Sequence, residues 1–337
     1  MDERMDIPKF TNTLGAAELA AALGHEFAVV QNPSYVHPAY ELYPLPDKRT
    51  ELSDGMVGAV MDMDGTTTTT EPLCIHSLET MVRRITNHEG DPAWPGLNRK
   101  RDLPHIIGNS TTKHVEYLVR TYGADIDDAA FRLFYLYSAI WTIGKAADPG
   151  RRAEVCANMA ALAIEDALDD PRFQELAAAD SLDTPEARRG VRALTDDFGP
   201  RLRLASFADR VRAAVDVYYQ RYHFILARIA AGDGESVERD VFGSQGGHLI
   251  RPMTGIGVFL AMLKGWLGTD VAFCFDEFRD HLSRLDLASD FDVDAARALL
   301  PALGAYFAQR PAAVAVVTSS IRYEADIVLG EVFRVLA

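Results

Sequence analysis

Two carboxylates one residue apart, Asp62 and Asp64, are followed by Gly65 and then by five consecutive threonines, Thr66 to Thr70. The short apolar run Met56 to Met61, bounded by Asp54-Gly55 and by Gly65, predicts a buried strand that delivers both acids at its C-terminal end. Side chains alternate along an extended chain, so Asp62 and Asp64 leave on one face while Met63 turns into packing. Gly65 allows a sharp turn, and the threonines put hydroxyls and backbone N–H groups beside the acids. Mutual repulsion and unequal solvation push the pKa values of two such carboxylates apart, so one stays ionised as a nucleophile or metal ligand while the other carries a proton. An acidic turn at a strand end is the bland reading. A calcium loop would need further oxygen ligands at short spacing, and the threonine run does not supply them.

A second anchor lies far downstream. Ala313-Val314-Ala315-Val316-Val317 is an apolar β-type run ending in Thr318, Ser319 and Ser320. It predicts a buried parallel strand whose end faces ligand, because open α/β sheets hold their ligands at the C-terminal ends of their strands. Between the two anchors the apolar spacing is helical. Helices are predicted over Ser77–Ile85, from Thr111 to Gly123, over Phe131–Ile143 and Ala153–Leu168, from an N-cap at Thr184 to Leu194, and over Phe207–Ile229, the longest. No strand signal of comparable strength occurs between about residues 77 and 250. A further apolar helix is predicted over Val258–Leu267 and a mainly helical tail over Ile321–Ala337, while Asp270 to Leu287 stays unassigned.

Residues 1 to 54 form a predicted N-terminal arm. A short helix is predicted over Ala16–Leu23, and the four prolines between Asn32 and Pro46 exclude a helix there. Tyr35, Tyr40 and Tyr43 are expected to pack the arm onto its own domain.

Asp62-Met63-Asp64-Gly65-Thr66-Thr67 after an apolar strand resembles the first signature of the haloacid dehalogenase-like (HAD) superfamily, and the strand ending at Thr318 resembles the second. The resemblance implies an α/β fold: a doubly wound, Rossmann-like parallel-sheet core (residues 55–76 and 251–337) with a large, mainly helical cap inserted at 77–250. Ile106-Ile107-Gly108-Asn109-Ser110 is similar to a cap segment of the family, and Arg251-Pro252-Met253-Thr254-Gly255 to its return into the core. By the same resemblance Asp62 is the nucleophile, Asp64 the general acid/base, and both ligate Mg2+. Thr66, Thr318 and the Ser319 N–H bind the substrate phosphate. An acid at position 64 favours phosphoryl transfer over carbon–halogen or carbon–phosphorus cleavage.

The expectation is therefore a magnesium-dependent phosphatase acting on a small phosphate ester through an aspartyl-phosphate. A phosphomutase with the same two acids and a non-catalytic binding or scaffold protein on a degenerate core are the alternatives. The family's third and fourth signatures, a Lys or Arg and a later acidic pair, find no match between 321 and 337, and truncation of a longer product is the favoured explanation. His76 and Lys113 as substrate contacts, Glu71 beside the acids and His248 at the cap hinge are each expected to be ordinary surface or structural residues.

The 337 residues are 48% hydrophobic and 25% charged, as in a globular protein of one large or two modest domains. A formal charge of −15 argues against nucleic acid or an anionic membrane as the main partner. Cys74, Cys156 and Cys274 form no metal-spaced pair, and the N-terminus has no signal-type apolar core, so a cytoplasmic protein is expected.

Overall fold

The computed structural model describes residues 17, 18, 21, 27–31, 40–44, 58–107, 110–275, 293–318 and 320–336. The chain divides into two compact units between Met56 and Val57. In the first, β1 (Phe27–Gln31) and β2 (Tyr40–Pro44) form an antiparallel pair with Phe27 opposite Pro44 and Gln31 opposite Tyr40. Residues 17, 18 and 21 are helical, within the predicted short helix. Tyr40 and Tyr43 fall in β2, whereas Tyr35 lies outside the described residues.

The second unit begins with the acid-bearing strand, β3 (Gly58–Asp62), which pairs in parallel with β6 (Ala313–Val317), Gly58 opposite Ala313 and Asp62 opposite Val317. Two runs 255 residues apart thus end side by side. After Asp64 the chain turns at Gly65, whose φ of 75° is a left-handed conformation that only glycine adopts without strain. The turn closes through Gly65 N–H to the Thr68 carbonyl (2.8 Å) and through the Thr67 and Thr68 N–H groups to the Met63 carbonyl (2.9 Å each). Thr68–Thr69 (β4) then pairs antiparallel with Arg251–Pro252 (β5), so the threonine run meets the return segment directly.

Helices make up most of what lies between. They are α1 (Glu71–Ile85), α2 (Arg99–Ile106), α3 (Thr111–Thr121), α4 (Asp128–Lys145), α5 (Pro149–Ala161), α6 (Pro171–Ala178), α7 (Pro185–Phe198), α8 (Phe207–Ala230) and α9 (Gly234–Phe242). After β5 come α10 (Ile256–Leu263), α11 (Val293–Gln309) and, beyond β6, α12 (Arg322–Leu336). Their starts follow N-cap chemistry. Asp127, Asp170, Thr184 and Ser206 each accept a first-turn N–H of the helix they precede, a contribution of about 1 kcal/mol apiece. Pro171 and Pro185 occupy first-turn positions where no intrahelical donor is lost. The 24-residue α8 is the axis, with α1, α3 and α4 packed around it. Val211, Ala214, Tyr218, Tyr222, Ile225, Leu226 and Ile229 of its predicted stripe are buried, and so are Asp216, Gln220 and His223 on other faces. A helix enclosed on all sides has to carry its polar groups inside the core.

The doubly wound, Rossmann-like parallel core implied by the resemblance is not what forms. Among the described residues every sheet is two-stranded, and β3–β6 is the only parallel pair. A parallel sheet needs strands buried on both faces by crossover helices. Here Val60 and Val317 are 72% and 61% exposed, and the continuous apolar core is built among helices, from Leu73 and Met81 of α1 through Phe131 and Ile140 of α4 to Ile225 of α8. The chain places its apolar residues at helical spacing, so the packing of helix on helix, not helix on sheet, carries the fold. No helix among the described residues is long and apolar enough to cross a membrane.

Candidate functional site

Met63 is fully buried while Asp62 and Asp64 are exposed, the alternation expected of an extended chain. Both acids open into a cavity of about 750 Å3 that is otherwise walled by helices. They are held differently. Asp64 has both oxygens engaged by hydroxyls, Oδ1 accepting from Thr70 (2.5 Å) and Oδ2 from Ser320 (3.2 Å). Asp62 Oδ1 accepts the Met63 N–H (2.8 Å), and among the described residues nothing donates to its Oδ2. The Asp62 main-chain carbonyl is tied down by the buried Thr67 hydroxyl (2.7 Å). One carboxylate is clamped at both ends, and the other keeps an oxygen facing the cavity.

Four helices start at this cavity: α1 at Thr70 and Glu71, α3 at Ser110 and Thr111, α5 at Asp148 to Arg151, and α12 beside Ser320 and Ile321. Each N-terminus leaves backbone N–H groups without intrahelical partners and carries about half a positive charge. The α5 start is closed by Asp148, which accepts the Arg151 N–H (2.6 Å). Thr70 and Ser110 stand at N-cap positions yet make no side-chain cap, and Thr70 spends its hydroxyl on Asp64 instead. The α1 and α3 ends are therefore open to a ligand.

The remaining wall comes from α8 and its neighbours. Arg151, only 5% exposed, lies over the Tyr219 ring at 4.3 Å and is bound by Asp216 and by Glu154. Complete burial pushes the Asp216 carboxyl up to about 6, against the opposing pull of Arg151 and Asn158. His223 and Glu324, both buried, pair at 2.6 Å across α8 and α12. Cys74 lines the cavity with its thiol pushed up to about 11 by burial, so it stays protonated and is no nucleophile at neutral pH.

The other expected site residues are spread out. Thr66 lines a separate, apolar depression with Met61, Met253 and Phe259, apart from the cavity that holds the two acids. Thr318 uses its hydroxyl to accept the Ser320 N–H (3.0 Å), and so positions Ser320 against Asp64. Ser319 lies outside the described residues, as do Gly108 and Asn109 of the cap-like segment. Glu71 lines the cavity, Lys113 is exposed away from it, and His248 pairs with Glu238 (3.2 Å). His76 is enclosed against Arg221, and burial first, then that guanidinium, lower its pKa to about 4. Sequence reasoning missed Thr70 and Ser320, although each closes a hydroxyl run it had marked, and it missed Arg151, His223 and Glu324 altogether.

For magnesium the donor set is thin. Among the described residues no group of three or more His, Cys, Asp or Glu side chains is assembled to hold a metal ion. Asp62 and Asp64 fit Mg2+ only as an ion that keeps most of its water and is completed by substrate oxygens, a mode this cation commonly adopts. Compared with family models, curated proteins and solved structures, the chain finds no match.

Proposed function

We propose that this chain is a magnesium-dependent phosphatase of HAD type that acts on a small phosphate ester through an aspartyl-phosphate at Asp62. The observation that carries the reading is the unequal pair: a free Asp62 Oδ2 and a doubly bound Asp64 at the mouth of a cavity onto which four helix N-termini converge. Helix N-termini suit a phosphoryl group, since their N–H groups and dipoles both favour negative charge. Bound Mg2+ would supply charge compensation on the phosphoryl oxygens.

Asp62 Oδ2 attacks phosphorus in line while the bond to the leaving alcohol breaks, and Asp64, as the general acid, delivers a proton to the departing oxygen. Asp64 then takes a proton from the water that attacks the aspartyl-phosphate, releasing inorganic phosphate and free Asp62. Hydroxyls both donate and accept, so Thr70 and Ser320 can follow Asp64 through both protonation states without moving. The helical walls restrict water to what the cavity admits. A cytoplasmic setting belongs to the same proposal and is supported by three free cysteines.

Hydrolysis of 4-nitrophenyl phosphate with added magnesium, lost in Asp62→Asn, tests the reading. The absence of a three-ligand metal group among the described residues favours one rival, a protein that binds phosphate esters without turnover. Phosphate-analogue binding with no hydrolysis under any magnesium concentration would select that rival.

A further inference from the structure

Ser320 reaches Asp64 from a segment held at both ends. On one side Val317 closes β6, which is registered against the strand that carries Asp62, and Thr318 accepts the Ser320 N–H at 3.0 Å. On the other side α12 begins at Arg322. The Ser320 hydroxyl therefore meets Asp64 Oδ2 at 3.2 Å only while the first turn of α12 stays in place.

Little holds that turn. Arg322 is exposed and pairs with Asp326 of its own helix, and the Ala325 N–H returns to the Ile321 carbonyl (3.1 Å). Among the described residues, the contact of His223 Nε2 with Glu324 Oε1 at 2.6 Å is the one side-chain hydrogen bond that ties the turn to another element. Both side chains are buried, and the Tyr323 ring lies edge-on to His223 at 5.9 Å. The apolar anchors of α12, Val328 and Val332, lie one and two turns beyond Glu324. His223 belongs to α8, which is packed by α1, α3 and α4 and so serves as a fixed reference. Moving the start of α12 away from α8 would strand a buried carboxylate, which is strongly unfavourable.

We infer that His223 is a positioning residue: through Glu324 it fixes the first turn of α12, and with it the Ser320 hydroxyl on Asp64. The effect on turnover rests on the phosphatase reading, whereas the anchoring of α12 does not. Hydrolysis of 4-nitrophenyl phosphate with magnesium would be compared in the parent, His223→Leu, Ser320→Ala and the double variant. Small misplacements of catalytic groups are costly, so His223→Leu should lower kcat by about tenfold or more with KM little changed. The double variant should be no slower than Ser320→Ala alone, because a hydroxyl already removed cannot be misplaced. His223→Gln, whose amide can still donate to Glu324, should recover most of the lost kcat. Hydrogen exchange of the full chain reads the anchor without turnover. The Ala325 amide should exchange about tenfold faster in His223→Leu while the buried amides of α8 keep their parental rates. Should His223→Leu fail to fold, Glu324→Ala cuts the same tie without stranding a charge and is held to the same outcomes. Parental kcat in the folded variant, fully additive losses in the double variant, or unchanged Ala325 exchange overturns the inference. In a chain without turnover the phosphatase reading falls, and the exchange result alone upholds or overturns the anchor.

Discussion

Removing the guanidinium of Arg151 should cost far more at neutral pH than in mild acid. Asp216 is fully buried, with Arg151 as its cationic partner and Asn158 donating to both of its oxygens at 3.0 Å. Arg151→Met leaves that carboxylate with one amide, and breaking a buried pair from one side typically costs about 3–5 kcal/mol. The linkage sets the pH dependence. Asp216 has a folded-state pKa of about 6, raised above its ordinary value of 3.8, so its protonation favours the fold, and that contribution is lost as pH rises through about 6. Without Arg151 the carboxyl stays protonated to still higher pH. Each pH unit above about 6 then adds about 1.4 kcal/mol to the variant's deficit, or about 2 kcal/mol by pH 7.5. Urea unfolding of parent and Arg151→Met at pH 5.5 and 7.5 measures both quantities. The deficit should be about 4 kcal/mol at pH 7.5 and about half that at pH 5.5, where lost packing on Tyr219 remains. Adding Asp216→Asn should recover the pH-dependent part. A deficit below about 1 kcal/mol, or one unchanged between the two pH values, would refute the reasoning.

Other perturbations read other parts of the molecule. His76, half-buried against Arg221 with its pKa lowered to about 4, contributes stability above about pH 6.5 that is lost as pH falls through 4; urea titrations should show His76→Gln flattening up to about 3 kcal/mol of that acid loss, and an unchanged slope would contradict the assignment. Gly144 sits where a Cβ would come within 2.0 Å of the Ala177 carbonyl oxygen, so Gly144→Ala should destabilise by about 1–3 kcal/mol in spite of the better helix former, and a stabilised variant would show that α4 and α6 are not packed this closely. Thr70→Val and Ser320→Ala should each lower kcat for a phosphate ester by about tenfold or more with little effect on KM, because each frees one oxygen of Asp64; a pure KM effect would place the hydroxyls in substrate binding instead.

The acid pair, its turn and the strand that carries it were legible because alternation, glycine and an apolar run act within a few residues. The parallel partner was legible for the same reason, as Ala313 to Val317 has no helical spacing, but neither strand is buried as expected: Met61 alone of the pair is buried. Helices over 71–85, 111–121, 128–145, 185–198 and 207–230 follow their apolar periodicity, with Thr184 capping as its sequence position requires. The predicted Ala153–Leu168 helix instead breaks after Ala161, where Ala163 takes a φ of 65° before a 3-10 turn at Glu165–Asp169. The short helices α2, α6 and α9, and α11 with its internal Pro301, lack a long stripe and escaped notice. The sheet class was misread because two strand ends with the right polar residues say nothing about how many strands lie between them. Arg151, His223 and Glu324 stayed hidden for a different reason. They meet across 72 and 101 residues of chain, and only the packing of α5, α8 and α12 brings them to one cavity.

The most direct test asks whether phosphate becomes bonded to Asp62. Asp64→Asn, which slows hydrolysis of the intermediate but leaves a good leaving group able to depart, would be mixed with 4-nitrophenyl phosphate and magnesium and quenched with borohydride. Peptide mass spectrometry then locates any reduced acyl-phosphate. Conversion of Asp62 to homoserine, absent without substrate and absent in Asp62→Asn, is the predicted result. Phosphatase activity that persists in Asp62→Asn, or turnover with no label at Asp62, would contradict the account.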